Sequence, residues 1–343
     1  MLDTNWQPPA SWPCIRTIDM HTGGEPLRVI IDGFPKLTGN SILDYRRQAK
    51  EEYDHLRKAL MWEPRGHFNM YGCIMVPATT DDADFGVLFT HNEGFSSMCG
   101  HGIIAMTKLV LETGYMAMKA PITTVKINSP AGLITAHARI ENNHVSSVYF
   151  HNVPSFVVDT DNIIDVPGIG EVKYDLAFSG AFYAYIQAES IGLGCTENYH
   201  SQLIEKGRLI KQAIMASRTI EHPFEKDLGF LYGCIFIGPN EQEGAHSRNV
   251  CVFANGEIDR SPTGTGVSGR VTVHCHKGEV ALNESIVIES ITGSRFTATV
   301  REETQFGPYK AYITEVEGNA YITGKHEFYL DPDDKSFPGF LLE

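Results

Sequence analysis

The run Ser97-Met98-Cys99-Gly100-His101-Gly102 returns as Ser261-Pro262-Thr263-Gly264-Thr265-Gly266, 164 positions later in a chain of 343 residues. An offset so near half the chain constrains the fold more than any other feature, because self-similarity at that spacing predicts two like units. Other landmarks repeat in the same order. Residues 41–62 read as an amphipathic helix, with Leu43, Leu56 and Leu60 among Arg46, Arg47, Lys50, Glu51 and Glu52, stopped by Pro64. Residues 198–222 read alike, with Leu203, Leu209, Ile210 and Ile214 on one face and Pro223 as the stop. A strand-like segment bearing Tyr-Gly-Cys follows each helix: residues 70–76 with Tyr71-Gly72-Cys73, and residues 231–237 with Tyr232-Gly233-Cys234. Each Gly-x-Gly element then leads into residues that can form a helix, 103–111 in the first copy and from Val267 in the second.

Between these landmarks lie short β signals, at residues 124–127, 145–150, 181–186, 286–291 and 296–300, separated by Gly, Pro and Asn turns. Each half is therefore expected to be a curved, largely antiparallel sheet wrapped round one motif-bearing helix. The boundary is expected near Asn152-Val153-Pro154, with the cleft between halves as the ligand site.

Composition narrows the function classes. A net charge of -14 argues against nucleic acid or an anionic membrane surface as partner, since both need a basic face. No apolar run reaches the roughly 18 residues of a spanning helix, and the polar, proline-rich residues 1–13 lack the order of a signal peptide. Seven cysteines without paired spacing fit a reduced, cytoplasmic thiol inventory.

A cysteine at a helix start meets the positive end of the helix dipole and free N–H groups, so Cys99 is expected to be a thiolate, usable as nucleophile or base. The free N–H groups of two such starts, facing each other, would hold one small carboxylate between them. The other six cysteines read as buried structural residues. Glycines 264, 266 and 269 spell G-x-G-x-x-G, but Pro262 and the polar residues 255–259 separate them from the strand at 250–253, so no dinucleotide site is expected. No P-loop is present either. His274-Cys275-His276 is expected to be a surface strand and not a metal site, since only two ligands share a face. The helix charges, Arg46-Arg47 and Glu51-Glu52, read as a solvated face. Asp259, four residues before Thr263, fits either a partner for a substrate ammonium or a turn or N-cap residue, and its spacing leaves both open.

These residues resemble the proline racemase superfamily, whose members carry M-C-G-H-G and D-R-S-P-C-G-T-G. Both motifs are present, at residues 98–102 and 259–266, with Thr263 in place of the second cysteine. The likeness extends through Asp19-Met20-His21-Thr22-Gly23-Gly24-Glu25-Pro26, Arg65-Gly66-His67 and Asn152-Val153-Pro154-Ser155-Phe156, and so covers nearly the whole chain. It implies an α+β, diaminopimelate-epimerase-like fold: two pseudo-symmetric domains, each a β-barrel around a central helix, with the site in the cleft between them. Residues 1–153 with 321–343 would form the domain carrying Cys99, and residues 154–320 the domain carrying Thr263. The resemblance further implies no metal or organic cofactor, a homodimer, and a small-molecule substrate. By position, Cys99 and Thr263 would be the catalytic pair. Gly100, His101, Gly264 and Thr265 would bind the substrate carboxylate, and Asp259 its ring nitrogen.

The departure at Thr263 decides the expected reaction. Racemases and 4-hydroxyproline epimerases need two acid/base groups, and a threonine hydroxyl is far too weak an acid to return a proton near neutral pH. The cysteine–threonine pairing is similar to that of the family's trans-3-hydroxy-L-proline dehydratases, so α-proton abstraction and loss of water to give Δ1-pyrroline-2-carboxylate is the expectation. The rivals are a proline or 4-hydroxyproline racemase or epimerase in which Thr263 relays a proton through water, and a catalytically silent binding protein.

Overall fold

Two helices are buried almost all the way round, and each has to be enclosed. After Cys99, every residue of the helix Gly100–Glu112 except Lys108 and Glu112 is buried; after Thr263, residues 264–273 are all buried. Such helices fit only inside a surrounding sheet. The computed structural model describes residues 6–342. Residues 1–5, which begin the polar N-terminal segment, and residue 343, which ends the C-terminal one, lie outside the described residues.

In chain order the first half holds β1 (Cys14–Thr22), β2 (Glu25–Asp32), α1 (Ile42–Glu52), α2 (Asp54–Met61), β3 (Gly72–Val76) and β4 (Phe85–Thr90). Then come α3 (Gly100–Glu112), β5 (Ile122–Ser129), β6 (Gly132–Glu141) and β7 (His144–His151). The second half holds β8 (Ser155–Val166), β9 (Gly170–Phe178), β10 (Phe182–Gln187), α4 (His200–Ser217), β11 (Leu231–Gly238), β12 (Ser247–Phe253) and β13 (Glu257–Ile258). It continues through α5 (Gly264–His276), β14 (Ser285–Glu289), β15 (Arg295–Phe306) and β16 (Tyr309–Gly318), and β17 (Ala320–Tyr329) ends the order.

The pairings repeat as the motifs do. Around α3, β2 and β3 run parallel, β3 and β4 antiparallel, and β4 and β5 parallel. Around α5 the same sequence is β10 with β11, β11 with β12, and β12 with β14. In the second half β8, β9, β10, β11, β12, β14, β15 and β16 close a ring, because β16 pairs back onto β8. In the first, β17 pairs with β1, and the end of β16 that leads into β17 pairs with β7. Inward positions alternate with outward ones, as at Ile134, Ala136, Ala138 and Ile140 of β6. The architecture is α+β, a pair of barrel-like sheets each holding one buried helix.

Four expectations are corrected. The helix predicted over 41–62 breaks at Tyr53 into α1 and α2. Five of eight α2 residues are buried against three of eleven in α1, so the chain re-aims there, with Arg57 drawn inward onto the carbonyls of His91 and Asn92 at 2.7 and 2.8 Å. Arg46 is not on a solvated face: it is buried and donates to the Phe95 carbonyl at 2.8 Å, while Arg47 and Glu51-Glu52 stay outside. His274-Cys275-His276 is the last turn of α5, because burial of Val267, Val271 and Val273 inside the barrel overrides the β preference of that run. Finally, of the six cysteines expected to be buried, Cys14 and Cys275 are only half-buried.

Candidate active site

The first glycine of each Gly-x-Gly element lets the two buried helices meet start to start. A Cβ on Gly100 would lie 2.6 Å from the Gly264 Cα, and one on Gly264 would lie 2.7 Å from the Gly100 Cα. The second glycine clears space behind the capping residue: a Cβ on Gly102 would meet Phe89 at 2.8 Å and the Cys99 sulfur at 3.1 Å, and one on Gly266 would meet Ile235 at 2.3 Å and Thr263 at 3.1 Å. Two helix N-termini therefore abut, and the first N–H groups of each have no intrahelical acceptor. Gly264→Ala should force the starts apart. A shift of about 1 Å costs on the order of 100-fold, so binding of pyrrole-2-carboxylate and turnover should both fall by about that factor, measured by calorimetry and initial rates.

Cys99 caps α3 in extended backbone, and its sulfur accepts the Gly102 N–H at 3.2 Å. Its Sγ is also 3.1 Å from Nδ1 of His101. Thr263 caps α5 differently, at φ 69° and ψ 96° with no side-chain cap bond. Positive φ on a β-branched residue is a strained outlier of the kind found at functional sites. Its N–H bonded to Ser261 Oγ at 3.1 Å, and its carbonyl accepting from Val267 at 2.7 Å, hold it there. Thr263 Oγ1 is buried beside the Cys251 thiol without a hydrogen bond of ordinary geometry.

Cys99, Gly100, His101, Asp259, Thr263, Gly264 and Thr265 all line one cavity of about 20 Å³, room for a single water. A ring-sized ligand needs more room than this, so the cavity is in a closed form here. Asp259 is buried (4% exposed) and does two things at once: Oδ1 accepts the Ser261 N–H at 2.7 Å in a turn, while the side chain lines the cavity. Thr22 Oγ1 donates to the His101 carbonyl at 3.0 Å, Ser179 Oγ to that of Thr265 at 2.7 Å, and Tyr185 to that of Gly266 at 2.9 Å, fixing both helix starts to their barrels. Sequence reasoning did not single out the cavity's aromatic wall, Tyr71, Tyr183, Tyr232 and Phe253. The signal was the repeated Tyr-Gly-Cys element, read only as a mark of duplication.

In this closed form the surroundings of the Cys99 sulfur work against a thiolate. Burial pushes the thiol well above its ordinary pKa, and the Gly102 N–H pulls it only part of the way back. Burial likewise lowers the His101 imidazole, against the opposing charge of Asp259. A thiol donating to a neutral imidazole is the arrangement these directions favour. If Cys99 acts as a base, a raised pKa means that the thiolate fraction is small at neutral pH and grows as pH rises. kcat/KM should therefore climb between about pH 7 and 9, and a flat profile there would contradict a single buried thiol base.

The proline racemase family profile matches residues 17–341, and the chain belongs to that family. Among its relatives, the trans-3-hydroxy-L-proline dehydratase of Colwellia psychrerythraea is 49% identical over 340 residues, covering 98% of this chain and 96% of that one. The human trans-3-hydroxy-L-proline dehydratase is 42% identical over 337 residues, covering 96% and 95%. Among solved structures, a hydroxyproline epimerase from Agrobacterium vitis with bound trans-4-OH-L-proline superposes with a TM-score of 0.91 at 30% identity, covering 96% of each chain.

Proposed function

We propose that this protein is a hydro-lyase that dehydrates trans-3-hydroxy-L-proline. The observation that carries this is the asymmetry of the facing helix starts: one capping side chain is a thiol, Cys99, and the other an alcohol, Thr263. The substrate carboxylate lies across the N–H groups of Gly100, His101, Gly264 and Thr265, where helix dipoles favour an anion and stabilise charge as the α-carbon is deprotonated. Asp259 takes the ring ammonium. Cys99, as its thiolate, removes the α-proton and cannot invert the centre, because no acid of matched strength faces it. In the trans isomer the 3-hydroxyl is on the same ring face as the α-hydrogen, so the carbanion expels it on the Cys99 side as water, the proton it takes up being returned in net by the Cys99 thiol. The enamine left behind tautomerises to Δ1-pyrroline-2-carboxylate. These steps close with no metal or organic cofactor.

The same reading divides the chain into residues 1–153 with 321–343, carrying Cys99, and residues 154–320, carrying Thr263. The antiparallel pairing of β17 with β1 supports this assignment of the C-terminal segment. The protein is taken to act in the cytoplasm as a homodimer on a small molecule, without nucleic acid or membrane partners. Its seven cysteines are all free, and among the described residues no helix is long and apolar enough to cross a membrane. The test is to incubate the protein separately with trans-3-hydroxy-L-proline, trans-4-hydroxy-L-proline and L-proline, trapping imine and resolving stereoisomers. Imine from the first alone is expected. Inversion of either of the others without imine would make the protein an epimerase or racemase.

A further inference from the structure

Tyr71 and Tyr232 open the two copies of Tyr-Gly-Cys, and the steps above use neither. The duplication brings them face to face, with hydroxyls 3.4 Å apart, and Tyr71 shares a 2.6 Å hydrogen bond with Ser96. Both are buried (2% and 5% exposed) and both line the cavity that holds Cys99. The Tyr71 ring meets His101 edge-on at 4.8 Å, and the His101 Nδ1 lies 3.1 Å from the Cys99 sulfur, so the phenol and the thiol flank the same imidazole. Packing alone does not call for phenols here: Phe253 fills the same wall, with ring centroids 5.9 and 5.4 Å from Tyr71 and Tyr232. A phenol beside Cys99 stands on the ring face from which the α-proton is taken, the face that carries the hydroxyl of the trans isomer.

We propose that Tyr71, backed by Tyr232, is the acid that protonates the departing hydroxide, and so selects substrates with a hydroxyl at C3 on this face. The proposal rests on the dehydratase reading. The Cys99 thiolate takes the α-proton; the C3–O bond breaks with its electron pair on oxygen; the Tyr71 proton passes to that oxygen; the Cys99 thiol then reprotonates the phenolate. One water leaves and the thiolate is restored. Burial holds both phenols well above their ordinary pKa, so the proton is present at neutral pH.

A leaving group that needs no proton separates this role from a structural one. Tyr71→Phe should lose on the order of 100-fold in kcat on trans-3-hydroxy-L-proline, the usual scale for one general acid, yet less than about threefold in fluoride release from trans-3-fluoro-L-proline. Tyr232→Phe should show the same selectivity at smaller depth, and it decides the matter if Tyr71→Phe does not fold. If the wild type releases no fluoride, α-deuterium uptake relative to dehydration of the hydroxy substrate in heavy water is read instead, and it must rise at least about tenfold in Tyr71→Phe. Losses of equal depth on both substrates, an unchanged uptake ratio, or a loss below threefold on the hydroxy substrate would overturn the role of Tyr71 alone. A wild type that makes no imine sinks the dehydratase reading, and this proposal with it.

Discussion

Cys99→Ala is expected to lower dehydration by about 1,000-fold or more, the upper part of the range for losing a general base, while the protein stays folded. Alanine removes the sulfur that accepts the Gly102 N–H, a capping loss of about 1 kcal/mol. The thermal midpoint should therefore drop slightly. Cys99→Ser separates cap from base: a hydroxyl caps a helix well but is a far weaker base at neutral pH. Serine should restore the midpoint and leave turnover nearly as low as alanine. Turnover above a few per cent of wild type in either variant would show that another group takes the proton.

Asp259→Asn should be the next most damaging change. Asparagine keeps an oxygen for the Ser261 N–H, now at 2.7 Å, so the turn is preserved and only the negative charge is lost. Removing one partner of a desolvated charge pair costs about 2–5 kcal/mol, a drop of roughly 30- to several thousand-fold in kcat/KM. Pyrrole-2-carboxylate carries no ammonium and should bind the variant with a much smaller loss. An unchanged kcat/KM would leave Asp259 a turn residue only.

The duplicated plan was legible because it is written in long, matched motifs, and the two helix starts were legible because Gly-x-Gly has a local steric meaning. What was not legible depends on tertiary burial. Tyr53 carries no breaker signal; the break comes from the wider buried face of α2. The upward push on the Cys99 thiol runs against a helix-start rule that holds for exposed termini, because the closed cleft removes water from the thiol. Glu257 and His91 lie 3.7 Å apart and would pass for an ion pair. Burial raises the carboxyl well above its usual range and pushes the imidazole down to about 3, so it works against the charged form of each. The positive φ of Thr263 has no sequence signal either, since glycine and asparagine are the residues that announce it. The spacing of Asp259 fits two roles; the structure shows its turn bond to the Ser261 N–H and its side chain in the cavity wall.

The central claim is that one thiol serves the reaction and that Thr263 moves no proton. The most direct measurement sets Thr263→Ala beside Cys99→Ala and wild type, each with trans-3- and cis-3-hydroxy-L-proline under the same conditions. Thr263→Ala should keep substantial dehydration of the trans isomer where Cys99→Ala has none, and the cis isomer, whose hydroxyl faces away from Cys99, should be a poor substrate throughout. Efficient turnover of the cis isomer by wild type, or a loss in Thr263→Ala as deep as in Cys99→Ala, would place a second acid on the opposite face and contradict the single-thiol account.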